Sequence, residues 1–250
     1  KIALAMSRHS ERTNFVMVEE PENHLTHTSL ATLISRMESL AGEHQQLFVA
    51  THSSFVINRL GLDGLHLLGG AQPLRLTDLN PQTVAYFRKL PGYDTLRMVL
   101  AERVVLVEGP SDEIIFERIF KDKFEKRPIE LGIDVISMRG LSIGRCLELC
   151  AALDKTVAAV RDNDGIDPDK LRTPIQEWLA DGRRAVFIGA VDHGHTLEPQ
   201  LIHYNGESQL RKILKITDRA DIETWMSREK TETAIRIAGA EESITPPTYL

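Results

Sequence analysis

The feature of this sequence that most constrains its fold is an alternation of short apolar strands with amphipathic helices in its second half. Apolar runs predict strands at 103–107, 133–138, 156–160 and 185–188, and helices are expected between them, the last of these over 168–180. Because each strand is followed by a helix long enough to cross over, the strands are expected to run parallel, with right-handed connections. The second half therefore predicts an α/β fold, with one parallel sheet flanked by helices.

A shorter alternation of the same kind occupies the first part of the chain. Apolar residues predict strands at 14–18 and 47–50, and apolar spacing from Leu30 to Leu40 predicts a helix between them. A further short strand is expected at 65–68. These elements predict a first unit that covers residues 1–70.

Breaks in the pattern predict the remaining organisation. Residues 71–100 combine three separated prolines with weak periodicity, which favours a connector with one or two short helices. The second domain is expected to cover residues 101–250, with a helical extension after about residue 197. Residues 1–6 resemble the middle of an amphipathic helix without an N-cap, so we expect the chain to begin inside a larger, truncated domain.

The composition is typical of a soluble globular chain. Of the 250 residues, 42% are hydrophobic, and no apolar run approaches the roughly 18 residues that a membrane helix needs. The pattern of a secretory signal is missing from the start of the sequence. The cysteines, Cys146 and Cys150, are spaced for one face of a predicted helix and are expected to be reduced core residues. We therefore expect a cytoplasmic protein without membrane contact.

The net charge leaves a nucleic-acid substrate open. A formal charge of -6 argues on its own against a general nucleic-acid binder, because phosphate contacts depend on lysine and arginine. Metal-dependent enzymes that cleave phosphodiesters nevertheless concentrate carboxylates at the site. The distribution of the charges therefore matters more than their sum.

Acidic residues recur at the ends of two predicted strands. Glu108 follows the first strand of the second alternation, Asp112 opens the next helix, and Asp162 and Asp164 follow the third strand. Because ligands of open α/β sheets bind outside the carboxyl ends of the strands, these side chains are expected to face one crevice. Clustered carboxylates repel one another unless a hard cation binds between them, which favours Mg²⁺. Asp112 alone has a simpler interpretation, as an acid that stabilises a helix N-terminus.

These residues carry a resemblance to a known family. The segment 105–112 (Val-Leu-Val-Glu-Gly-Pro-Ser-Asp), followed by Asp-Asn-Asp at 162–164, resembles the Toprim domain of topoisomerases, primases and some nucleases. A glutamate on the first strand and an acidic D-x-D on a later strand are the signature of that family. The resemblance covers about residues 101–200. It implies that Glu108 and the two aspartates bind divalent metal ions, and that Glu108 also acts as an acid or a base.

A second resemblance lies in the first unit. The segment 15–25 (Phe-Val-Met-Val-Glu-Glu-Pro-Glu-Asn-His-Leu) resembles the Walker B motif and D-loop of ABC-type ATPases, and Thr-His-Ser at 51–53 resembles their switch histidine. The resemblance implies that Glu19 holds the hydration sphere of Mg²⁺, that Glu20 orients the attacking water and that His52 senses the γ-phosphate. The sequence contains no Gly-Lys dipeptide, so a Walker A loop is missing. We expect no ATP hydrolysis by this chain alone.

An ABC-type ATPase segment followed by a Toprim domain is similar to the arrangement of the OLD family (overcoming lysogenisation defect) of ATP-dependent nucleases. The segment 196–199 resembles one in which a glutamate, here Glu198, joins the metal site. The segment 228–234 resembles one that bears a catalytic lysine, here Lys230. On the residues alone, a lysine that lies between two glutamates on a helix is more typical of a solvated ion-pairing residue.

The OLD resemblance implies a metal-dependent endonuclease that cleaves DNA phosphodiesters, in phage defence or DNA repair. Lys230 would neutralise charge on the phosphate. ATP would bind only in the longer protein and would control the nuclease, and a homodimer is implied. Five carboxylates would bind two Mg²⁺ or Mn²⁺ ions in each Toprim site: Glu108, Asp112, Asp162, Asp164 and Glu198.

Two functions of other classes stay open on the sequence. The chain could be a regulatory or interaction module of an ATPase, which binds metal without cleaving, although such a module would be expected to have lost an acidic ligand. It could also be a Toprim strand-transfer enzyme such as a topoisomerase, which needs a tyrosine nucleophile. The four tyrosines lie outside any recognisable winged-helix context: Tyr86, Tyr93, Tyr204 and Tyr249.

Two further groups of residues have both a structural and a functional interpretation. His193 and His195 could form a transition-metal pair, but oxygen-rich surroundings favour hard cations. Arg211, Lys212 and Lys215 form a basic helical stripe. The stripe is a candidate phosphate contact, although a solvated face is the more common meaning of such a pattern.

Overall fold

The structure is a computed structural model, and it divides the chain into two compact units, 1–100 and 101–250. The helix predicted at 1–6 lies outside the described residues. The structure describes residues 15–40, 46–60, 64–68, 74–75, 80–89, 93–179, 182–217 and 221–250.

The described part of the first unit begins with two parallel strands joined by a helix. Strands β1 (Phe15–Glu19) and β2 (Gln46–Ala50) pair in parallel, and α1 (His27–Leu40) connects them. The strand pattern has period two, so Val18 packs against Met37 of α1 while alternate residues of β1 remain exposed. The predicted strand-helix-strand order is confirmed.

The rest of the first unit consists of short elements. The strand predicted at 65–68 is reduced to two residues that pair antiparallel with a second two-residue strand. Two helices lie within residues 71–100. The elements are α2 (Ser54–Leu60), β3 (His66–Leu67), β4 (Leu74–Arg75), α3 (Pro81–Lys89) and α4 (Tyr93–Leu100).

The second unit is built on a four-stranded parallel sheet, as the sequence predicts. The strands are β5 (Arg103–Val107), β6 (Ile133–Ser137), β7 (Thr156–Arg161) and β8 (Arg184–Ile188), in the spatial order β6-β5-β7-β8. In this order β5 and β7 are neighbours, with Leu106 opposite Ala159. The residues that follow these two strands are therefore held side by side at the carboxyl edge of the sheet.

Helices flank the sheet. They are α5 (Pro110–Phe124), α6 (Ile143–Ala152) and α7 (Pro168–Arg172), the last followed by a 3₁₀ helix, Thr173–Leu179. A single α-helix over 168–180 was expected and is wrong, because Pro174 has no N–H to donate to the carbonyl four residues earlier. On α6, Cys146 and Cys150 are completely buried, which confirms them as core residues.

The helical extension shares a core with α5. It comprises α8 (Leu197–Asn205), α9 (Glu207–Leu214), α10 (Ile222–Arg228) and α11 (Lys230–Gly239). Ile115 of α5 belongs to the same buried cluster as Leu201, Met226 and Ile237 of the extension. Arg118 of α5 also donates hydrogen bonds to the carbonyls of Ile237 and Ala240, at 2.8 and 2.7 Å. The extension is thus anchored to the helix that follows Glu108.

The segment after α11 returns to the sheet. Tyr249 is 6% exposed and packs against Val105 and Val107 of β5 and Val160 of β7. Within the described residues, we find no helix with the length and apolarity required to cross a bilayer.

Candidate functional site

Three acidic side chains follow the central strands β5 and β7. Glu108 comes directly after β5, and Asp162 and Asp164 come directly after β7. Asp162 is 7% exposed, whereas the side chains of Glu108 and Asp164 are about one-third and one-half exposed. The parallel register thus brings residues separated by about fifty positions to one edge of the sheet.

Asn163 fixes the loop that carries both aspartates. Its amide nitrogen donates to the carbonyls of Gly189 and Gly194, at 3.1 and 2.7 Å, and its side-chain oxygen accepts from the Gly165 N–H at 2.8 Å. Asp164 adopts a left-handed conformation (φ 50°), which aspartate tolerates better than most residues. Burying the Asn163 side chain therefore ties the loop after β7 to the loop after β8.

Asp112 has two roles in the geometry. Its carboxylate accepts a hydrogen bond of 2.9 Å from the Gly109 N–H and caps the N-terminus of α5, as the simpler interpretation of this residue predicts. It also lies close enough to Asp162 to raise the pKa of that group. The two interpretations of Asp112 are therefore compatible.

Glu198 and Lys230 meet although they lie on different helices. Glu198, in the first turn of α8, is 3% exposed and accepts from the hydroxyl of Thr196 at 2.9 Å. The Lys230 ammonium, at the start of α11, lies 3.3 Å from the other carboxylate oxygen of Glu198. The neighbouring Glu232 instead pairs with Arg236, at 2.7 Å. Lys230 is thus paired with the buried acid of α8 and not with its neighbours along the helix.

The charges connect all five predicted carboxylates. Burial, together with the negative charges of Asp112, Glu108 and Glu198, raises the pKa of Asp162 to about 7. Burial also raises the pKa of Glu108; Arg161 opposes this, and Asp164 adds to it. Each acid thus lies within electrostatic reach of at least one other.

Asp112 and Lys230 complete this electrostatic network. Burial raises the pKa of Asp112, against the effect of its hydrogen bond from Gly109. Burial alone would lower the pKa of Lys230, but Glu198, Asp162 and Asp112 together raise it above its ordinary value. Lys230 therefore stays protonated among the carboxylates.

The sequence reasoning missed Arg161, the last residue of β7. Its guanidinium lies 3.6 Å from Glu108 and 3.7 Å from Asp164, with its side chain mostly buried. Its neighbour in the sequence, Asp162, was recognised from its position at the end of the strand and from the D-x-D motif. An arginine at the end of an apolar strand, immediately before two acids, is a signal that could have been noticed.

Tyr249 was also missed as part of the site. Its phenolic hydroxyl donates a hydrogen bond of 3.0 Å to Asp162. Burial, together with the negative charge of Asp162, raises the pKa of Tyr249 far above its ordinary value. No sequence signal connects the two residues, because 87 positions separate them and Tyr249 lies in an irregular segment.

The donor chemistry fits a hard divalent cation, because all five candidate ligands are carboxylates and oxygen ligands are those that Mg²⁺ and Mn²⁺ prefer. After burial, the negative charges of Asp112 and Glu108 are the next causes of the raised pKa of Asp162, and a bound cation would neutralise this repulsion. Among the described residues, no three acidic, histidine or cysteine side chains are yet grouped as a ligand set for one ion.

The residues of the ATPase-like segment meet in the first unit. His52 lies 3.1 Å from the Glu20 carboxylate, and the Thr51 hydroxyl donates to Glu22 at 2.7 Å. Glu20 itself has a positive φ of 43° and accepts from the Asn23 amide at 2.7 Å. Glu19, on the exposed edge of β1, does not take part in these contacts. Glu20 and His52 are thus neighbours, while the nucleotide roles that the resemblance implies for them stay predictions.

The remaining candidate groups have other neighbours. The His193 ring stacks on His203 at 4.0 Å and contacts the Tyr204 hydroxyl at 2.8 Å, while the backbone carbonyl of His195 accepts from Asp164. The two histidines of the proposed pair are thus engaged separately.

The basic stripe of α9 is largely occupied by ion pairs. Arg211 pairs with Glu207 at 3.1 Å, and Lys212 pairs with Glu242 at 3.3 Å. These contacts support the interpretation of the stripe as a solvated helix face.

One comparison with known families finds a match to the first part of the second unit. Residues 99–164 match the sequence profile of a family described as overcoming lysogenization defect protein-like, TOPRIM domain. The match contains Glu108, Asp112, Asp162 and Asp164, and it spans β5 to β7. No curated protein matches the chain. Fold and profile agree on a Toprim-type domain, and the family description implies a metal-dependent activity on nucleic acid.

Proposed function

We propose that this chain carries the catalytic domain of a metal-dependent DNA endonuclease of the OLD type. The observation that carries the proposal is the convergence of five carboxylates and one lysine at the carboxyl edge of a Toprim-type sheet. Two of these residues, Glu198 and Lys230, lie outside the matched stretch 99–164, yet they contact each other beside the carboxylates inside it. Five acids against two cations, Lys230 and Arg161, leave an excess of negative charge that a divalent ion would neutralise.

The ligands of the proposed site are the five carboxylates already described. Divalent ions bound there would supply Lewis-acid activation of water and of the phosphodiester. Glu108 is partly exposed, and burial raises its pKa above the ordinary value, which suits an acid or base that exchanges protons with a substrate or water. Lys230 keeps a positive charge beside Glu198 and would stabilise the additional negative charge of the phosphate in the transition state.

The geometry argues against the strand-transfer alternative. A topoisomerase needs a tyrosine that reaches the phosphodiester and loses its proton readily. Tyr249 is near the acids, but it is 6% exposed and its hydroxyl already donates to Asp162. Its raised pKa makes the phenolate still less accessible. Hydrolysis by water therefore fits the site better than attack by this tyrosine.

The wider setting of the activity is also a proposal. The His52–Glu20 contact supports an ATPase-like element that, in the longer protein, couples ATP to the nuclease. The OLD resemblance supports a homodimer acting on DNA, in phage defence or DNA repair within the cytoplasm. The regulatory-module alternative predicts the same metal binding without cleavage.

The deciding experiment is a plasmid-cleavage assay with the purified chain in Mg²⁺, Mn²⁺ or EDTA. Conversion of supercoiled to nicked or linear DNA is expected with metal and not with EDTA. Asp164→Asn should reduce the rate, whereas Asp154→Asn is a matched control, since Asp154 also has a positive φ and pairs with an arginine. Metal binding without cleavage would favour the regulatory module, and equal loss in both variants would contradict the assigned site.

A further inference from the structure

A groove leads away from the acidic site along the start of α6. One cavity, of about 360 Å³, begins at Glu108, and a second, of about 350 Å³, ends at Trp178. The two share Ser142, Ile143 and Arg161 in their walls, so they form one continuous depression. We call this depression the flanking groove.

The charge of the flanking groove is opposite to that of the chain. Its walls contain three basic residues, Arg145, Arg161 and Lys170, and one acid, Glu108 at the end nearest the candidate metal ligands. The chain as a whole has a net charge of -6. A local excess of cations in an acidic protein favours an anionic ligand.

The three cations differ in how they are held. Arg145 pairs with Glu148 at 3.2 Å, and Arg161 lies between Glu108 and Asp164. Lys170 is exposed, and its ammonium forms no ion pair with any carboxylate in the described part of the chain. A ligand phosphate can therefore contact Lys170 without breaking a described ion pair.

Trp178 provides a flat apolar surface at the far end of the flanking groove. The residue is partly buried, and its backbone carbonyl accepts a hydrogen bond of 2.6 Å from Arg184. A Cβ atom at Gly144 would lie 3.4 Å from the ring, so the ring packs closely on the first turn of α6. An aromatic ring held in this way loses little side-chain entropy when a planar group stacks on it.

We infer that the flanking groove binds a single strand of nucleic acid that continues from the phosphodiester to be cleaved. Phosphates of this strand would contact Arg161 and Lys170, and one base would stack on Trp178. Alternating cations and aromatic surfaces are what single strands require, because every base has a stacking face and every linkage has a charge. In a duplex the bases already stack on one another, so reaching Trp178 would require unpairing. The position of the cleaved bond in this inference rests on the proposed function, whereas the binding of the strand to the groove does not.

The test measures binding of the intact chain to a fluorescein-labelled oligothymidylate by fluorescence anisotropy, with EDTA present so that no cleavage occurs. Lys170→Ala should reduce the slope of log affinity against log salt by about 0.7, the value for one phosphate contact on a single strand. Trp178→Leu should weaken binding by about fivefold or more, while Trp178→Phe should retain most of it. Lys212→Ala is the matched control, because Lys212 lies on α9 in an ion pair with Glu242.

Several outcomes would overturn the inference. Equal affinity of Lys170→Ala and Lys212→Ala would do so, as would tighter binding of a blunt duplex than of the single strand. If Trp178→Leu has a lower melting temperature, Lys170→Ala alone decides, since Lys170 is exposed on the surface. Cleavage of plasmid in Mn²⁺ is measured separately. Strand binding without any cleavage would reject the proposed nuclease and support strand binding in the flanking groove. Cleavage together with unaltered strand binding by the variants would support the nuclease and reject strand binding in the groove.

Discussion

The hydroxyl of Tyr249 donates a hydrogen bond of 3.0 Å to Oδ1 of Asp162, the most buried acid of the D-x-D motif. The ring of the same tyrosine lies in the apolar cluster formed by residues of β5 and β7. One oxygen of Asp162 is therefore engaged by the protein, and the other remains for a ligand. Through this contact the segment after α11 helps to hold a candidate metal ligand in place.

We expect Tyr249→Phe to keep the fold and to weaken divalent-ion binding. The substitution keeps the ring in its cluster but removes the donor that orients Asp162. Loss of such a partner of a metal ligand reduces affinity by about tenfold or more. Mn²⁺ titration monitored by electron paramagnetic resonance measures the change.

The control for this experiment is Tyr204→Phe. The Tyr204 hydroxyl contacts His193 and Thr248, at 2.8 and 3.1 Å, and none of the five carboxylates. Both variants lose one buried or partly buried hydroxyl, so their effects on unfolding should be similar. Equal Mn²⁺ affinities for the two variants would show that Tyr249 acts only through packing.

The stability of the metal-free chain should fall as the pH rises from about 4 to about 7. Asp162 has an ordinary pKa of 3.8 in the unfolded chain and about 7 in the folded one. Between these values the unfolded state has released a proton that the folded state retains, so raising the pH favours unfolding. Above pH 7 the penalty is complete, at most about 4 kcal/mol for this group.

Asp162→Asn should remove most of that pH dependence. Asparagine still accepts from Tyr249 but carries no charge, so the variant should be more stable than the parent above pH 7 and similar to it near pH 4. Urea unfolding at a series of pH values in EDTA measures both curves. A variant curve parallel to the parent's would show that Asp162 is already ionised at acidic pH.

Divalent ions should raise the melting temperature of the chain through the same carboxylates. An ion that binds only the folded state stabilises it by mass action, and here it also relieves repulsion among the acids. Replacing both Asp162 and Asp164 with Asn should abolish the increase caused by millimolar Mg²⁺, while Asp154→Asn should retain it. A double variant that responds like the parent would place the metal site elsewhere.

The sheet and the first ligands were predictable because they depend on local pattern. Apolar runs of five or six residues place β5 and β7, and the parallel order makes Glu108 and Asp162 neighbours without knowledge of any side-chain contact. The end of α7 was not predicted correctly, since the pattern remains helical through Pro174 and only its missing N–H changes the helix type.

Contacts between distant elements were beyond the reach of sequence pattern. Arg161 acquires its role from the side chains across the crevice, and Tyr249 from the return of an irregular segment to the sheet. A family resemblance implied roles for Lys230 and Glu198, but their contact was not predicted, because the packing of α11 beside α8 leaves no periodic pattern in the sequence. Tertiary packing, rather than local propensity, determines these three residues.

The last prediction separates the nuclease from the non-cleaving module through Lys230. Lys230 is half exposed and pairs with the buried Glu198, and it is not one of the candidate metal ligands. Lys230→Met should therefore retain the metal-induced increase in melting temperature but lose DNA cleavage by about a hundredfold or more, as expected for one lost electrostatic stabiliser. Lys230→Arg should restore little, because a planar guanidinium differs in shape from a point ammonium.

Lys212→Met is the control. The Lys212 ammonium also lies 3.3 Å from a glutamate, Glu242, but Lys212 has no part in the proposed chemistry. Cleavage by Lys230→Met within a few-fold of the parent would return Lys230 to the solvated ion-pairing role that its helical neighbours suggest, and the carboxylates alone would remain as the catalytic set.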